Sequence, residues 1–233
     1  MEPSEPGQLL EIADGVWTDT GPVRIVGMPL SSTMTVLRLK SGELLLCSPV
    51  AMTEQRRASV EALGRVAHLY APNLFHHRWL GDWASAFPAA RIHAPAGLAK
   101  KRPDLRIART HATSPEPAFE GVVEELPIEG FRLRETALFY RPARTLIVTD
   151  LVQNVGEPTH PWTAIYTSLM GFRGRVALSR AIRWTGFGDR RAARRSLDAV
   201  LAHDFERVVV GHGAPLLSGG REALAAAYGW LKA

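Results

Sequence analysis

The chain carries histidines and carboxylates that could bind a metal ion, and they occur in three places. The stretch 73–83 (NLFHHRWLGDW) holds two adjacent histidines and an aspartate, and it follows a short apolar run. Asp150 ends the apolar run TLIVTD, and His212 lies between two glycines at the end of the run VVVGHG. Sites in α/β proteins usually form where strands end. The three segments together therefore indicate a metal site at one edge of a sheet.

Each candidate residue also has a purely structural interpretation. His76 and His77 are neighbours, so their side chains point apart on any regular element, and we expect only one of them to face a site. Asp82 could be a metal ligand, but we favour a role in orienting a histidine. Asn73 could donate a hydrogen bond in the site, although an Asx turn that ties down the loop is favoured. Asp150 could cap the segment after it, but its position at a strand end favours the site.

The hydropathy pattern predicts the elements that must position these residues. Alternation or short apolar runs predict strands at 9–20, 34–39, 44–47, 66–70, 91–94, 122–127, 132–140, 145–149 and 208–210. Helical spacing predicts helices at 53–63, 78–86, 96–101, 190–203 and 221–232. The segments 102–121 and 154–175 are predicted to be irregular.

This order of elements predicts an α/β fold. It starts with hairpins and continues with β-α units, which indicates an αββα sandwich: two mixed β-sheets packed face to face with helices outside. We expect a flexible N-terminus over 1–8 and a single domain over 9–233. Trp79 and Trp83, four positions apart, are predicted to pack in the core. His93, His111, His160 and His203 are interpreted as surface or core histidines.

Composition excludes several classes of site. Cys47 is the only cysteine, so the chain has no intramolecular disulfide and no cysteine-rich metal site, and its apolar neighbours predict a buried thiol. We find no secretory leader and no apolar run long enough to span a membrane, which favours a cytoplasmic protein without a membrane partner. We also find no nucleophile elbow, P-loop or dinucleotide fingerprint.

Basic residues cluster in one segment. The formal net charge of +5 is modest, but Arg190, Arg191, Arg194 and Arg195 recur at helical spacing and form one face. A solvated helix face is the favoured interpretation, and a surface for an anionic substrate or nucleic acid is the alternative. Since no nucleic-acid module accompanies these arginines, we expect a small-molecule substrate instead.

The order of elements and motifs resembles the metallo-β-lactamase fold superfamily from about Leu9 to Pro215. That superfamily binds one or two metal ions, usually zinc, through a His-x-His-x-Asp-His loop, a later histidine, an aspartate after a strand and a final histidine after another strand. Thr149-Asp150 stands where the superfamily has Gly-Asp, and Gly211-His212-Gly213 is very similar to its last ligand segment. The resemblance therefore implies that Asp150 and His212 are metal ligands.

The histidine loop departs from the superfamily pattern. Asn73 and Phe75 stand in place of the first two histidines, and His76 and His77 fall near the Asp-His pair. Phe131 stands in place of the mid-chain histidine. The chain is similar to a divergent branch that carries Asn-x-x-His-His-x-x-x-Gly-Asp-Trp, and this branch implies no particular activity.

These departures remove the ligands of one metal position and keep those of the other. His76, His77 or both, with Asp150 and His212, supply three N/O ligands, as in a catalytic mononuclear zinc site. Iron or manganese would also accept such ligands, and the site could also hold no metal.

Two functions are compatible with this sequence. The first is a metal-dependent hydrolase of an ester, lactone, amide or phosphoester, in which the metal lowers the pKa of water and Asp150 is both ligand and general base. The second is a non-catalytic protein of this fold whose degenerate metal site binds a small ligand or a partner. In that case Phe75 and Phe131 would close an apolar pocket.

Overall fold

A computed structural model describes residues 7–111 and 113–231 of the chain. The larger sheet has seven strands in the order β1-β2-β3-β4-β5-β6-β7: Leu10–Ala13, Val16–Ile25, Met28–Arg38, Leu44–Cys47, Val66–Tyr70, Arg91–Ala94 and Ile107–Thr110. The smaller sheet has the order β11-β10-β9-β8, where β8 to β11 are Val123–Pro127, Thr136–Tyr140, Thr145–Ile147 and Arg207–Val209. Helices α1 to α7 are Glu54–Leu63, Leu80–Ala86, Leu98–Lys101, Pro161–Met170, Arg180–Thr185, Arg190–Leu201 and Gly220–Ala227.

Both sheets are mixed, which confirms the prediction. In the larger sheet β1 to β4 pair antiparallel, whereas β4 to β7 pair parallel. In the smaller sheet β10 pairs parallel with β11 and antiparallel with β9. Parallel strands place their carboxyl ends at the same edge, so the residues that follow β10 and β11 are brought together.

The core has three apolar layers, as an αββα sandwich requires. Between the sheets lie side chains of both, among them Leu37, Leu45, Cys47, Leu138, Ile147 and Val209. Helices α1, α2 and α3 cover the outer face of the larger sheet, and α6 and α7 cover the outer face of the smaller one. Cys47 is fully buried as predicted, and burial raises the pKa of its thiol, so this cysteine is a packing residue.

Local signals explain where the predicted helices begin. The Thr53 side chain accepts a hydrogen bond from the backbone N–H of Arg56 and caps α1, which ends before Gly64. Asp189 caps α6 by accepting from the N–H groups of Arg191 and Ala192. Helix α6 buries Ala193, Leu197 and Val200 and turns most of its arginines to solvent.

Two segments predicted to be irregular contain regular structure. The segment 102–121 includes β7, an edge strand whose short run has only one buried residue and therefore no clear pattern. The segment 154–175 includes α4, which begins with Pro161 at its first position. Helix α4 buries threonines rather than apolar residues, so the usual amphipathic signal is absent. Strand β2 also continues past Gly21 and Pro22 to Ile25, beyond the predicted strand end at 20.

Residues 1–6, which include most of the predicted flexible terminus, lie outside the described part of the chain. Gly7 is buried, and its carbonyl accepts a hydrogen bond from Ser59 Oγ at 2.9 Å. Among the residues described, none of the helices has the length and apolar character needed to cross a lipid bilayer.

Candidate metal centre

Three of the predicted residues meet at the edge where β5, β10 and β11 end. His76 lies in the loop after β5, Asp150 shortly after β10, and His212 shortly after β11. His76 Nε2 is 3.6 Å from Asp150 Oδ2, and His212 Nε2 is 3.8 Å from Asp150 Oδ1. One ligand atom from each residue lies within 4.8 Å of the other two. The fold therefore brings the three strand ends together, as expected from the sequence.

Gly211 permits the close approach of these segments. A Cβ atom at this position would lie 2.9 Å from His76 Cε1 and 2.9 Å from the carbonyl oxygen of Thr149. The backbone of Thr149 cannot move without shifting Asp150, the next residue. A glycine is therefore required next to His212.

Both imidazoles are held through Nδ1 and turn Nε2 toward the carboxylate. His76 Nδ1 lies 2.8 Å from Ser48 Oγ, and His212 Nδ1 donates to the carbonyl of Ser31 at 2.7 Å. Ser48 adopts φ 54°, a left-handed conformation that costs energy in a residue with a side chain and is common at functional sites. Because a carbonyl can only accept, the His212 ring keeps its Nε2 lone pair for a metal, and the Ser48 hydroxyl can accept from His76 Nδ1 to the same effect.

The geometry of this donor set fits a divalent metal. Metal–nitrogen and metal–oxygen bonds of about 2.0–2.1 Å in a tetrahedron place neighbouring ligand atoms about 3.3 Å apart. The separations of 3.6 and 3.8 Å are a few tenths longer and exceed a hydrogen bond. Two neutral nitrogens and a carboxylate suit zinc, and they also suit iron or manganese.

Asn73 connects the loop to the carboxylate. Its Oδ1 accepts hydrogen bonds from the backbone N–H groups of Phe75 and His76 at 2.8 and 2.9 Å, which is the predicted Asx turn. Its Nδ2 lies 2.7 Å from Asp150 Oδ2, 2.9 Å from Thr149 Oγ1 and 3.1 Å from Glu135 Oε2. Asn73 is completely buried, so it fixes the position of Asp150 relative to His76.

Glu135 is a site residue that the sequence analysis missed. Its buried carboxylate accepts hydrogen bonds from the backbone N–H groups of Thr149 and Asp150 at 2.7 and 2.8 Å and from Asn73. Glu135 directly precedes β9 and lies in a segment that was predicted to be a strand. A single glutamate among other polar residues is expected to face solvent there. The one available signal is that the apolar run TALFY begins directly after it.

Charges in the cluster favour an ionised Asp150. Burial opposes this ionisation, but His76, His212 and the Asn73 amide outweigh it and lower the pKa of Asp150. Burial and the nearby Asp150 raise the pKa of Glu135. Burial would lower the pKa of His76, but the Asp150 carboxylate outweighs this effect, so the pKa of His76 is raised. Burial and the nearby His76 lower the pKa of His212. The cluster therefore holds an ionised carboxylate between two imidazoles.

Solved structures with the same arrangement of strands and helices are known. DIM-1 metallo-β-lactamase superposes with a TM-score of 0.63 and 14% identity over 94% of this chain and 97% of that one. A metallo-β-lactamase from Pontibacter korlensis gives 0.60 and 15% over 93% and 98%. FIM-1 from Pseudomonas aeruginosa, in its mono-zinc form, gives 0.62 and 11% over 97% and 96%. The fold is that of the metallo-β-lactamases. No protein-family model and no curated protein sequence matches the chain.

Two predicted site residues lie apart from the cluster in this metallo-β-lactamase fold. His77 is turned toward Arg102, whose guanidinium is 3.4 Å from His77 Nδ1 and donates to the His77 carbonyl at 3.1 Å. Asp82 is exposed in the first turn of α2, where its charge stabilises the helix, and it makes no contact with His76 in the described structure. Adjacent residues point apart, and β5 delivers His76 rather than His77 to the site.

A cavity of about 450 Å³ opens beside the three residues. Ser32, Ser48, Arg78 and Thr185 are its polar lining residues besides the cluster, and the rest of the wall consists of Val23, Ile25, Pro49, Phe75, Trp79, Leu133 and Ile182. Trp83 is buried as predicted, but Trp79 lines the cavity as well as packing against the core. The clefts of about 650 and 690 Å³ elsewhere on the described surface are lined by none of the three cluster residues, although Glu135 borders the first.

Phe75 and Phe131, which the sequence resemblance places at histidine positions, differ in their surroundings. Phe75 lines the cavity and is 63% exposed. Phe131 is buried against Phe187, with ring centroids 5.0 Å apart, and it lines a different cleft. The prediction that both close one apolar pocket is therefore correct for Phe75 only.

A second buried cluster joins His68, His93 and Glu116. His68 Nδ1 is 2.9 Å from His93 Nε2, and Arg109 donates to His93 Nδ1 at 3.1 Å. Burial lowers the pKa of His68 to about 4 and that of His93 to about 2. Because both His93 nitrogens are occupied and a guanidinium lies 3.8 Å from Glu116, this network is structural and repels a metal cation.

Proposed function

We propose that the protein is a hydrolase with a single divalent metal bound by His76, Asp150 and His212. The observation that carries the proposal is the arrangement of two imidazoles, each held at Nδ1, with both Nε2 atoms turned toward the Asp150 carboxylate. A fold neighbour in a mono-zinc form supports the view that this architecture accommodates one zinc ion. When bound, such a metal polarises a carbonyl group and lowers the pKa of water to about 7.

The residues of the chain perform the remaining tasks. Ser48 and Ser31 keep the imidazoles in place, and Asn73 and Glu135 hold the backbone and side chain of Asp150. Asn73 donates to Asp150 Oδ2, which leaves Oδ1 as the oxygen free to accept a proton from the attacking water. Asp150 would then be both ligand and general base.

The cavity walls indicate the substrate class. A mostly apolar pocket next to a polar reactive end fits an ester or lactone whose acid part is an alkyl chain or an aromatic ring. Among the described residues that line the cavity, Arg78 is the one with a permanent positive charge, and it suits a substrate carbonyl or carboxylate group near the opening. Highly charged phosphoesters fit this wall poorly because their desolvation would not be compensated.

Metal stoichiometry and ester hydrolysis test the proposal. Elemental analysis after incubation with Zn²⁺, Fe²⁺ or Mn²⁺ should give about one metal per wild-type chain, as expected for a three-ligand site. His212→Ala should lose both the metal and the hydrolysis of p-nitrophenyl octanoate. His77→Ala is the matched control, since it removes the adjacent imidazole that faces Arg102, and it should keep both.

A non-catalytic protein that binds an apolar ligand is the second candidate, and the exposed Phe75 ring at the cavity favours it. Metal analysis of the wild type and ligand binding by Trp79→Ala separate the two. If the wild-type protein binds no metal, and a fluorescent fatty acid binds to the wild type but not to Trp79→Ala, the hydrolase proposal is wrong and the binding protein is supported.

A further inference from the structure

Helix α4 has its apolar side on the outside. Trp162, Ile165 and Leu169 are spaced by three and four positions and share one face, and they are 43%, 54% and 59% exposed. The buried face consists of Thr163 and Thr167 instead, and their hydroxyls donate to the carbonyls of Pro29 and Thr163. A surface helix normally buries its apolar face, so this exposed stripe needs another surface to cover it.

Two segments that are hydrogen-bonded to α4 add further exposed apolar side chains. Trp162 Nε1 donates to the carbonyl of Val26 at 3.2 Å, and Val26, at the tip of the β2–β3 hairpin, is 69% exposed. At the other end of α4, Arg180 donates to the carbonyl of Leu169 at 2.9 Å and begins α5. Helix α5 then presents Trp184, which is 72% exposed. We name these five exposed side chains the apolar face: Val26, Trp162, Ile165, Leu169 and Trp184.

Arginines without acidic partners flank the apolar face. Arg24 contacts the carbonyl of Gly27 at the hairpin tip, and Arg175 and Arg180 contact the carbonyls of Gly171 and Leu169 at the end of α4. Over residues 7–111 and 113–231, none of these three has a carboxylate in ion-pair range, whereas nearby Arg173 pairs with Glu157. The charge around the apolar face is therefore complementary to an anionic surface.

The apolar face also borders the cavity at the candidate metal centre. Val23 and Ile25 precede the hairpin tip and line the cavity, and Ile182 and Thr185 of α5 flank Trp184 and line it too. A second copy of the chain on this face would bring like-charged arginines together and crowd the cavity. A lipid surface would instead pair with the arginines and supply apolar molecules to the cavity.

We propose that the apolar face docks on the surface of a bilayer that contains anionic lipids. The tryptophans would lie at the headgroup level and the α4 stripe among the upper acyl carbons, as in interfacial helices. The expectation of no membrane partner rests on the lack of a spanning segment, and surface docking needs no such segment. Docking depends on the surface alone and not on hydrolysis.

Vesicle flotation with the full chain tests this docking. Vesicles of phosphatidylcholine alone are compared with vesicles of equal parts phosphatidylcholine and phosphatidylglycerol. Wild-type protein should float with the anionic vesicles, and much less at high salt. The double variant Ile165→Asp, Leu169→Asp should bind at least about tenfold more weakly, because two charges would enter the apolar layer. The variant Arg175→Gln, Arg180→Gln should lose the preference for anionic vesicles.

Leu217→Asp is the matched control. Leu217 is 46% exposed and is not part of the apolar face. It follows Leu216, which pairs antiparallel with Val208 of β11, so the chain at Leu217 runs away from the sheet edge that carries the metal centre. This variant should float like the wild type, and circular dichroism checks that every variant is folded. The proposal is overturned if the wild type binds neither vesicle, if it binds both equally, or if Leu217→Asp binds as weakly as the double variant. Sedimentation showing a wild-type dimer that Ile165→Asp, Leu169→Asp converts to monomer would also overturn it and assign the face to self-association.

Discussion

His111 gives the protein a measurable sensitivity to acid. Its imidazole is buried and stacks on Tyr70 with ring centroids 4.1 Å apart, and burial with the nearby Arg109 lowers its pKa to about 3. An unfolded histidine has a pKa near 6.5, so the unfolded chain takes up the proton first as pH falls. The stability that His111 contributes is therefore complete above pH 6.5 and is lost as pH falls toward 3. When the pH falls from about 7 to about 5, His111 alone should lower the free energy of unfolding by about 2 kcal/mol.

The variant His111→Phe isolates this contribution. Phenylalanine keeps the stacking on Tyr70, removes the titration, and replaces Nε2, a buried nitrogen without a hydrogen-bond partner in the described structure. Near pH 7 the substitution should change the free energy of unfolding by less than about 1 kcal/mol. The lost hydrogen bond to Thr136 lowers it, and removal of the unpaired buried nitrogen raises it.

Urea unfolding at the two pH values measures the free energy of unfolding of both proteins. The wild type should lose about 2 kcal/mol more than His111→Phe on acidification. His160→Phe, which removes an exposed imidazole, is the control and should behave like the wild type. An equal loss in wild type and His111→Phe would refute the assignment of a neutral, buried His111.

Three further predictions concern the candidate metal centre and its cavity. Glu135→Gln should lower the free energy of unfolding by about 1–3 kcal/mol in urea, because an amide cannot accept from both backbone N–H groups that the carboxylate binds; unchanged stability would contradict this. Gly211→Ala should weaken metal binding at least about tenfold in a chelator competition titration, since its Cβ displaces Thr149 or His76; unaltered affinity would show that the close approach is unimportant. Trp79→Ala should raise KM for p-nitrophenyl octanoate about tenfold and leave that for the acetate ester unchanged, because it removes apolar wall; equal effects on both esters would argue against an acyl site there.

The strand ends of the site could be predicted from the sequence because each is an apolar run that stops at a polar residue. Strand β5 follows its predicted bounds, and Asp150 and His212 come shortly after β10 and β11, as expected. Which of two adjacent histidines turns inward could not be predicted. That choice depends on Ser48, which is distant in sequence and holds His76 Nδ1.

Glu135 and helix α4, two of the missed features, share one physical cause: each reverses the usual relation between polarity and burial. Glu135 is a carboxylate that is only 1% exposed, because three donors from distant segments surround it. Helix α4 exposes apolar residues and buries threonines, so the segment lacks the pattern of a helix that packs on a core. Sequence patterns assume that polar residues face solvent, and functional surfaces are where that assumption fails.

The proposed loss of one metal position involves more than one missing side chain. The sequence resemblance places Asn73 at a histidine position of the superfamily, and in the structure Asn73 accepts two backbone hydrogen bonds and donates to Asp150. A neutral imidazole has one acceptor nitrogen with a single lone pair, so it cannot accept both backbone hydrogen bonds that the Asn73 amide oxygen accepts. Asn73→His would therefore release the loop that carries His76. Phe131 cannot be exchanged for a ligand either, since it is 3% exposed and packs on Phe187 away from the cluster. Asn73 thus fixes both the loop of His76 and the carboxylate of Asp150, and this supports the proposal of a single-metal centre.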